Sequence, residues 1–364
     1  MNKKIKIILP LCLFFSGLLF SCADKAAGQQ EMAVKQQLWP TQQWARSTPL
    51  EEGVSEEILS GAYEKYGANG TILIVKNGKI IAENYPAPYS VGFLHHIYSC
   101  TKSVTSILGG IAVDKGYFSK DDLVLNFFPE YKFKNVDSRK KKITVAHLLS
   151  MSSGMDWKGG IGGKDLGDML KTSDWTQFIL DRPMLYEPGT HFNYNSGGTQ
   201  LISTIIQREG GKKMEDFAVE NLFTPLGIKN YKWDYKNSYK GITPGPWGLY
   251  LSASDMAKLG YLYLNMGKWE ESQIVSEEWV RESVSPQVPR ATDKDGYGYQ
   301  WWMPNGLEPY TYTARGWYGK NHAFINVIPD LDIVVVIAGN INNKGNNDIL
   351  KTYVIPAAQK ASVK

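Results

Sequence analysis

Ser99 and Lys102, three residues apart in Ser99-Cys100-Thr101-Lys102, are the pair in this chain best suited to covalent chemistry. One helical turn brings residues i and i+3 to the same face, so the lysine amine can reach the serine hydroxyl. A lysine partly desolvated there releases its proton more readily and can act as the base that a serine nucleophile needs. The chemistry this implies is acyl transfer through a serine without a catalytic histidine. Val104, Ile107, Leu108, Ile111 and Ala112 follow with the spacing of one buried helical face, and Gly116 supplies a stop. Ser99 then sits at the first turn of a helix, where free N–H groups and the helix dipole favour negative charge. Taken locally, the same residues also read as a helix cap and a surface lysine. Ser138-Arg139-Lys140-Lys141 has the same spacing in a charged run without apolar periodicity, which reads as a solvated segment.

A serine–lysine pair needs a second proton carrier and an oxyanion site. Tyr194-Asn195-Ser196 is the candidate for the first. It follows the Glu187-Pro188-Gly189 turn and precedes an amphipathic stretch with Leu201, Ile202, Ile205 and Ile206. A loop tyrosine can pass a proton to a leaving group if a nearby ammonium lowers its pKa; among 21 tyrosines it also reads as a packed loop residue. For the oxyanion, Ala314-Arg315-Gly316-Trp317-Tyr318-Gly319 closes an expected strand, and its glycines allow backbone to approach a substrate. One N–H from this run and that of Ser99 would make the site; the other reading is a glycine-rich turn. Cys100, beside the nucleophile, reads as a small packing residue.

Other chemistries lack their signatures. There is no Gly-x-Ser-x-Gly, no His-Glu-x-x-His and no Gly-x-x-x-x-Gly-Lys. His95 and His96 are adjacent, and successive residues point apart, so no metal site is expected there. No metal and no cofactor are expected at all.

The elements that must position these residues run in a clear order. A helix pattern spans 52–66; strands 71–75 and 79–85 flank the Asn77-Gly78 hairpin signal. A loop containing His95 and His96 leads to the nucleophile helix. The stretch 103–290 is mostly helical, with expected helices at 145–151, 175–180, 198–208, 214–222, 255–266 and 276–284. Strands follow at 298–303, 310–315, 323–328 and 333–338, then a helix over 347–360. The unbroken apolar run Ile333-Val334-Val335-Val336-Ile337 suits a strand buried on both faces. The fold class is therefore α+β: one antiparallel sheet built from both ends of the chain, flanked by terminal helices, with a large, mainly helical subdomain inserted at about 103–290.

Net charge is +4 over 364 residues, and Lys3, Lys4 and Lys6 carry three of those charges. No basic stripe remains to suggest nucleic acid. Residues 1–21 have the form of a secretory signal, with an apolar run from Ile5 to Phe20. Leu19-Phe20-Ser21-Cys22 resembles a bacterial lipobox, which makes Cys22 a lipidation candidate and a lipid anchor the expected membrane attachment. Residues 22–49 read as a flexible, Gln-rich tether, and 50–364 as the catalytic domain. With three cysteines, two of them at or before position 22, no intramolecular disulfide is expected.

Taken together, these segments resemble the class C β-lactamase-like serine hydrolases, which share the β-lactamase/transpeptidase-like fold. They include β-lactamases, D-Ala-D-Ala carboxypeptidases, family VIII esterases and 6-aminohexanoate-dimer hydrolases. The resemblance runs from about Gly53 to the C-terminus. It rests on Ser99-Cys100-Thr101-Lys102, Ile143-Thr144-Val145-Ala146-His147-Leu148-Leu149-Ser150, Pro188-Gly189-Thr190, Tyr194-Asn195-Ser196, Phe223-Thr224-Pro225-Leu226-Gly227-Ile228, Ser254-Asp255-Met256-Ala257-Lys258-Leu259-Gly260 and Gly316–Gly319, in that order. It implies Ser99 as nucleophile, Lys102 as its base and Tyr194 as proton shuttle. Ser196 stands where the family often has asparagine. Lys171-Thr172-Ser173 mimics the third motif but precedes Tyr194. The third motif is then Ala314-Arg315-Gly316, with the N–H of Trp317 as second oxyanion donor. A lysine usually begins that motif and helps bind a substrate carboxylate; here it is Ala314, and Arg315, a possible substitute, points to the opposite face of a strand. The resemblance thus implies an envelope esterase or amidase acting on a small-molecule or peptide-like substrate, rather than a true β-lactamase. A D-Ala-D-Ala carboxypeptidase, or a penicillin-sensor-like domain that binds without turnover, is the other expectation.

Overall fold

The sheet explains why the apolar run at 333–337 is continuous. The computed structural model describes residues 37–158, 163–235, 241–288 and 295–360. The signal-like segment, Cys22 and the first part of the expected tether lie outside those residues. The main sheet has eight strands: β1 (Ala45–Arg46), β2 (Gly70–Lys76), β3 (Lys79–Asn84), β4 (Gly296–Tyr297), β5 (Trp302–Met303), β6 (Tyr312–Tyr318), β7 (Asn321–Ile328) and β8 (Ile333–Gly339). Their order is β1-β3-β2-β8-β7-β6-β5-β4, antiparallel except where β1 runs parallel to β3. β8 lies between β2 and β7, so the two ends of the chain are joined along its length. Ile333, Val335 and Ile337 point into one core, and Val334 and Val336 into the other. A strand covered on both faces reads as a continuous apolar run rather than an alternating one.

Helix α1 (Glu56–Tyr66) covers one face. It is capped by Ser55, whose side chain accepts from the N–H of Ile58, and it buries Leu59 and Ala62. The C-terminal helical run, Asn343–Asp348, Ile349–Val354 and Ile355–Lys360, packs on the same face through Ile349 and Leu350. The β2–β3 hairpin turns at Asn77 and Gly78, with φ of 52° and 76°. That is the left-handed pair a two-residue turn requires, and asparagine and glycine tolerate it.

The other face carries α2 (Cys100–Asp114) and α4 (Ala253–Leu264), with α3 (Ser196–Gly210) packed beyond α2. At Gly260 of α4 a Cβ would stand 2.6 Å from Val334 Cγ1, so glycine permits the close docking. Helix α4 therefore belongs to the sheet layer, although it falls inside the 103–290 stretch read as a helical insert. That stretch also contains strands at Tyr231–Trp233 and Leu249–Leu251.

Three further expectations differ from the structure. His95-His96 is a short strand paired with Tyr250 and Leu251, not a loop. The strand expected at 298–303 is broken, because Gln300 adopts a φ of 65°. From residue 37 onward the expected tether is packed: Trp39 lies against Tyr261 and Trp269, Trp44 donates to the carbonyl of Ser254 at 3.1 Å, and β1 pairs with β3. Two tryptophans in a glutamine-rich segment bury enough apolar surface to override its polar composition. Among the described residues no helix is long and apolar enough to cross a membrane.

Candidate active site

The site begins with a tight turn into α2. Tyr98 has a φ of 49°, and the N–H of Cys100 donates to the carbonyl of Ile97 at 3.0 Å. Ser99 already has helical backbone, φ −73° and ψ −5°, and its side chain makes no capping bond. The hydroxyl is therefore not used as a cap. It accepts instead from Lys102 Nζ at 3.1 Å, as the three-residue spacing predicts.

Lys102 is only 2% exposed, because α2 is buried on every side from Cys100 to Ala112. Burial pushes the Lys102 amine down to about 7. Its second bond goes to the carbonyl of Pro246 at 3.0 Å, a neutral partner that orients the amine. A lysine in this state exchanges a proton near neutral pH.

Tyr194 is 7% exposed and packs with Met151, Tyr297 and Trp302. The N–H of Asn193 donates to the carbonyl of Met151 at 2.8 Å, and Asn195 Oδ1 accepts from Gly198 at 3.1 Å to cap α3. The tyrosine is thus held from both sides in sequence. Lys102 Nζ lies 5.0 Å from its ring centroid. Burial raises the Tyr194 pKa well above its ordinary value; a hydrogen bond with Ser99 and the charge of Arg315 pull the other way. The expected lowering by an ammonium is not the governing effect. The phenol keeps its proton in the resting site.

Gly316 brings β6 against the start of α2. A Cβ there would stand 2.3 Å from the nitrogen of Ser99 and 2.5 Å from the carbonyl oxygen of Ile97. Only glycine permits that approach. Ala314, two residues earlier on the same strand face, is fully buried in the core beneath. Arg315 points the other way, as strand alternation requires. Its guanidinium pairs with Asp295 at 3.1 Å and lies over Trp302, 3.5 Å from the ring centroid.

Ser99, Lys102, Ser196 and Trp317 line one cleft of about 560 Å³. Ser196, at the start of α3, is buried, whereas Trp317 is 37% exposed. Leu166, Leu170, Pro246, Trp247 and Tyr318 complete much of the wall. Cys100 is buried, donates to the carbonyl of Ala323 at 3.2 Å, and has its thiol pKa raised by burial, which fits a packing residue. Ser138 and Lys141 are exposed, and Lys171 pairs with Asp168 on the surface. Among the described residues no cluster of His, Cys, Asp or Glu has the geometry to hold a metal ion.

Two contributors were not legible in the sequence. The loop Thr243–Gly248 supplies the Pro246 carbonyl and Trp247. It is fixed by Thr105 donating to Gly245 O and Ser203 donating to Thr243 O. Its Thr-Pro-Gly-Pro-Trp-Gly composition marks a rigid turn but not its destination. Gln300 ties the helices together: its carbonyl accepts from Ser103, its Oε1 from Thr199, and its Nε2 donates to Leu149 O. A lone glutamine carries no signal of such a role.

Comparison with known proteins places this geometry in context. A family model described as Beta-lactamase matches residues 56–360. An Escherichia coli O157:H7 protein provisionally described as a D-alanyl-D-alanine carboxypeptidase is 22% identical, over 93% of this chain and 91% of its own. The 6-aminohexanoate-dimer hydrolase of Paenarthrobacter ureafaciens is 23% identical, over 72% and 70%. Among solved structures, a Bacillus anthracis protein provisionally described as a 6-aminohexanoate-dimer hydrolase superposes with a TM-score of 0.72 at 18% identity, covering 90% of each chain.

Proposed function

The chain belongs to the beta-lactamase family and is a serine hydrolase, and we propose that it cleaves an ester or amide through an acyl-enzyme on Ser99. The observation that carries this is the buried Lys102 amine, 3.1 Å from the Ser99 hydroxyl and pushed down to about 7. The neutral amine of Lys102 takes the proton of Ser99 as its oxygen attacks the substrate carbonyl. The N–H groups of Ser99 and Trp317 hold the resulting oxyanion. Tyr194, a phenol that retains its proton, gives it to the leaving group and is reprotonated from Lys102. The acyl group is left as an ester of Ser99. Water then attacks that ester, its proton passes to the Tyr194–Lys102 pair, and Ser99 departs with a proton restored. Ser196 and the backbone around Gly316 border the substrate.

Ala314 favours an esterase or amidase over a β-lactamase or D-Ala-D-Ala carboxypeptidase, since a buried alanine offers nothing to a substrate carboxylate. A fluorophosphonate probe followed by mass spectrometry tests the mechanism: label is expected on Ser99 and absent in Ser99→Ala. Label elsewhere, or unchanged labelling of the variant, removes the mechanism. A lasting ester adduct without turnover would instead make this a penicillin-sensor-like binder. Anchoring in the bacterial cell envelope through Cys22 is a separate proposal, tested by release of Cys22→Ser from membranes.

A further inference from the structure

We infer that the substrate presents an uncharged, apolar group beside the scissile carbonyl, an inference that rests on the Ser99 acyl-enzyme reading and names its substrate class. The first ground is charge. Among the described residues lining the cleft, Lys102 is the one lysine or arginine. It is committed to Ser99 and to the Pro246 carbonyl. His96, at the rim, is held neutral by burial. Arg315, on the nearby strand, is engaged by Asp295 and Trp302. Among the described residues a substrate carboxylate entering this cleft would meet no cation that is not already engaged, and losing its water without a counter-ion strongly disfavours binding.

The second ground is the wall. Leu166, Leu170 and Trp247 form apolar lining, and Trp247 is backed by Trp175 at 5.9 Å between ring centroids. Trp317 and Tyr318 add aromatic surface at 37% and 76% exposure. Exposed aromatics gathered at a concave site mark a surface that gains from being covered. At about 560 Å³ the cleft has room for a medium-chain alkyl or single-ring acyl group.

The test uses p-nitrophenyl acetate, butyrate, hexanoate and benzoate beside p-nitrophenyl hydrogen adipate, which matches hexanoate in chain length but ends in a carboxylate. The expected result is kcat/KM rising about tenfold or more from acetate to hexanoate, with the adipate monoester far below hexanoate. Trp247→Ala and Leu170→Ala, each checked for folding by circular dichroism, are expected to flatten the acetate-to-hexanoate ratio. A flat chain-length profile in the parent protein, or adipate turned over as fast as hexanoate, overturns the inference. Fluorophosphonate labelling of the same preparation separates the two failures. Labelled Ser99 with a preference for the charged ester removes only the substrate class, whereas unlabelled Ser99 removes the acyl-enzyme reading beneath it.

Discussion

Arg315 lies over the ring of Trp302, with its guanidinium carbon 3.5 Å from the centroid, and Trp302 in turn stacks on Tyr194 with centroids 5.9 Å apart and planes at 23°. Asp295 fixes the outer end through its ion pair with Arg315. A residue that the strand turns away from the third-motif lysine position thus reaches Tyr194 through a tryptophan.

Arg315 is therefore expected to act as a positioning residue. Its charge lowers the proton affinity of Tyr194, so Arg315→Met should make the phenol a weaker acid and loosen its support. The expected outcome is a fall in kcat of about tenfold with KM little changed, and partial rescue by Arg315→Lys, which restores charge without the flat stack. Steady-state kinetics on one neutral ester checks both. A change confined to KM would place Arg315 in substrate binding instead.

Lys102 is expected to set the pH dependence of turnover. With its amine pushed down to about 7, the base-competent neutral form dominates above that pH and disappears below it. The profile of kcat/KM should fall as pH drops through about 7. Lys102→Arg keeps the cation but cannot release a proton at these pH values, so it should lose activity by about 100-fold or more across the range. An acidic limb unchanged in position in a variant of Lys102 would assign that limb to another group.

Gly316 has no room for a methyl group. In Gly316→Ala the added Cβ would meet backbone atoms of Ser99, Ile97 and Cys100 at 2.3–2.8 Å, and backbone moves less easily than side chains. The strand and helix must separate, at a cost of about 1–3 kcal/mol in stability. Turnover should fall further than stability does, because the Ser99 N–H moves with the helix. Denaturant midpoints measured beside kcat/KM check the two effects.

His95 and His96 are expected to make the fold sensitive to acid. Burial holds both near 4 in the folded chain, against about 6.5 when unfolded. Between those values the unfolded chain binds protons that the folded chain does not, so their contribution is complete above about pH 6.5 and is lost as pH falls toward 4. His95 packs against Tyr89 and Phe93, at 4.9 and 5.0 Å between ring centroids. His95→Phe should therefore narrow the gap between denaturant midpoints at pH 7 and pH 4.5. An unchanged gap would move the acid sensitivity elsewhere.

The features legible in the amino-acid sequence are those that depend on near neighbours along the chain. The reach of Lys102 to Ser99 follows from one helical turn, the β2–β3 hairpin from the left-handed tolerance of Asn77-Gly78, and the central strand from the run at 333–337. The order of the motifs around Ser99, Tyr194 and Gly316 placed the chain in its family. The surroundings of those residues come from long-range packing. The Lys102 amine is pushed down because packing strips its water, and a carbonyl 144 residues away receives one of its protons in a hydrogen bond. Arg315 is drawn to Asp295 and Trp302, and the segment from residue 37 is held by Tyr261 and Trp269. Desolvation and cross-chain contact depend on which distant residues arrive at the same place, and no local spacing encodes that.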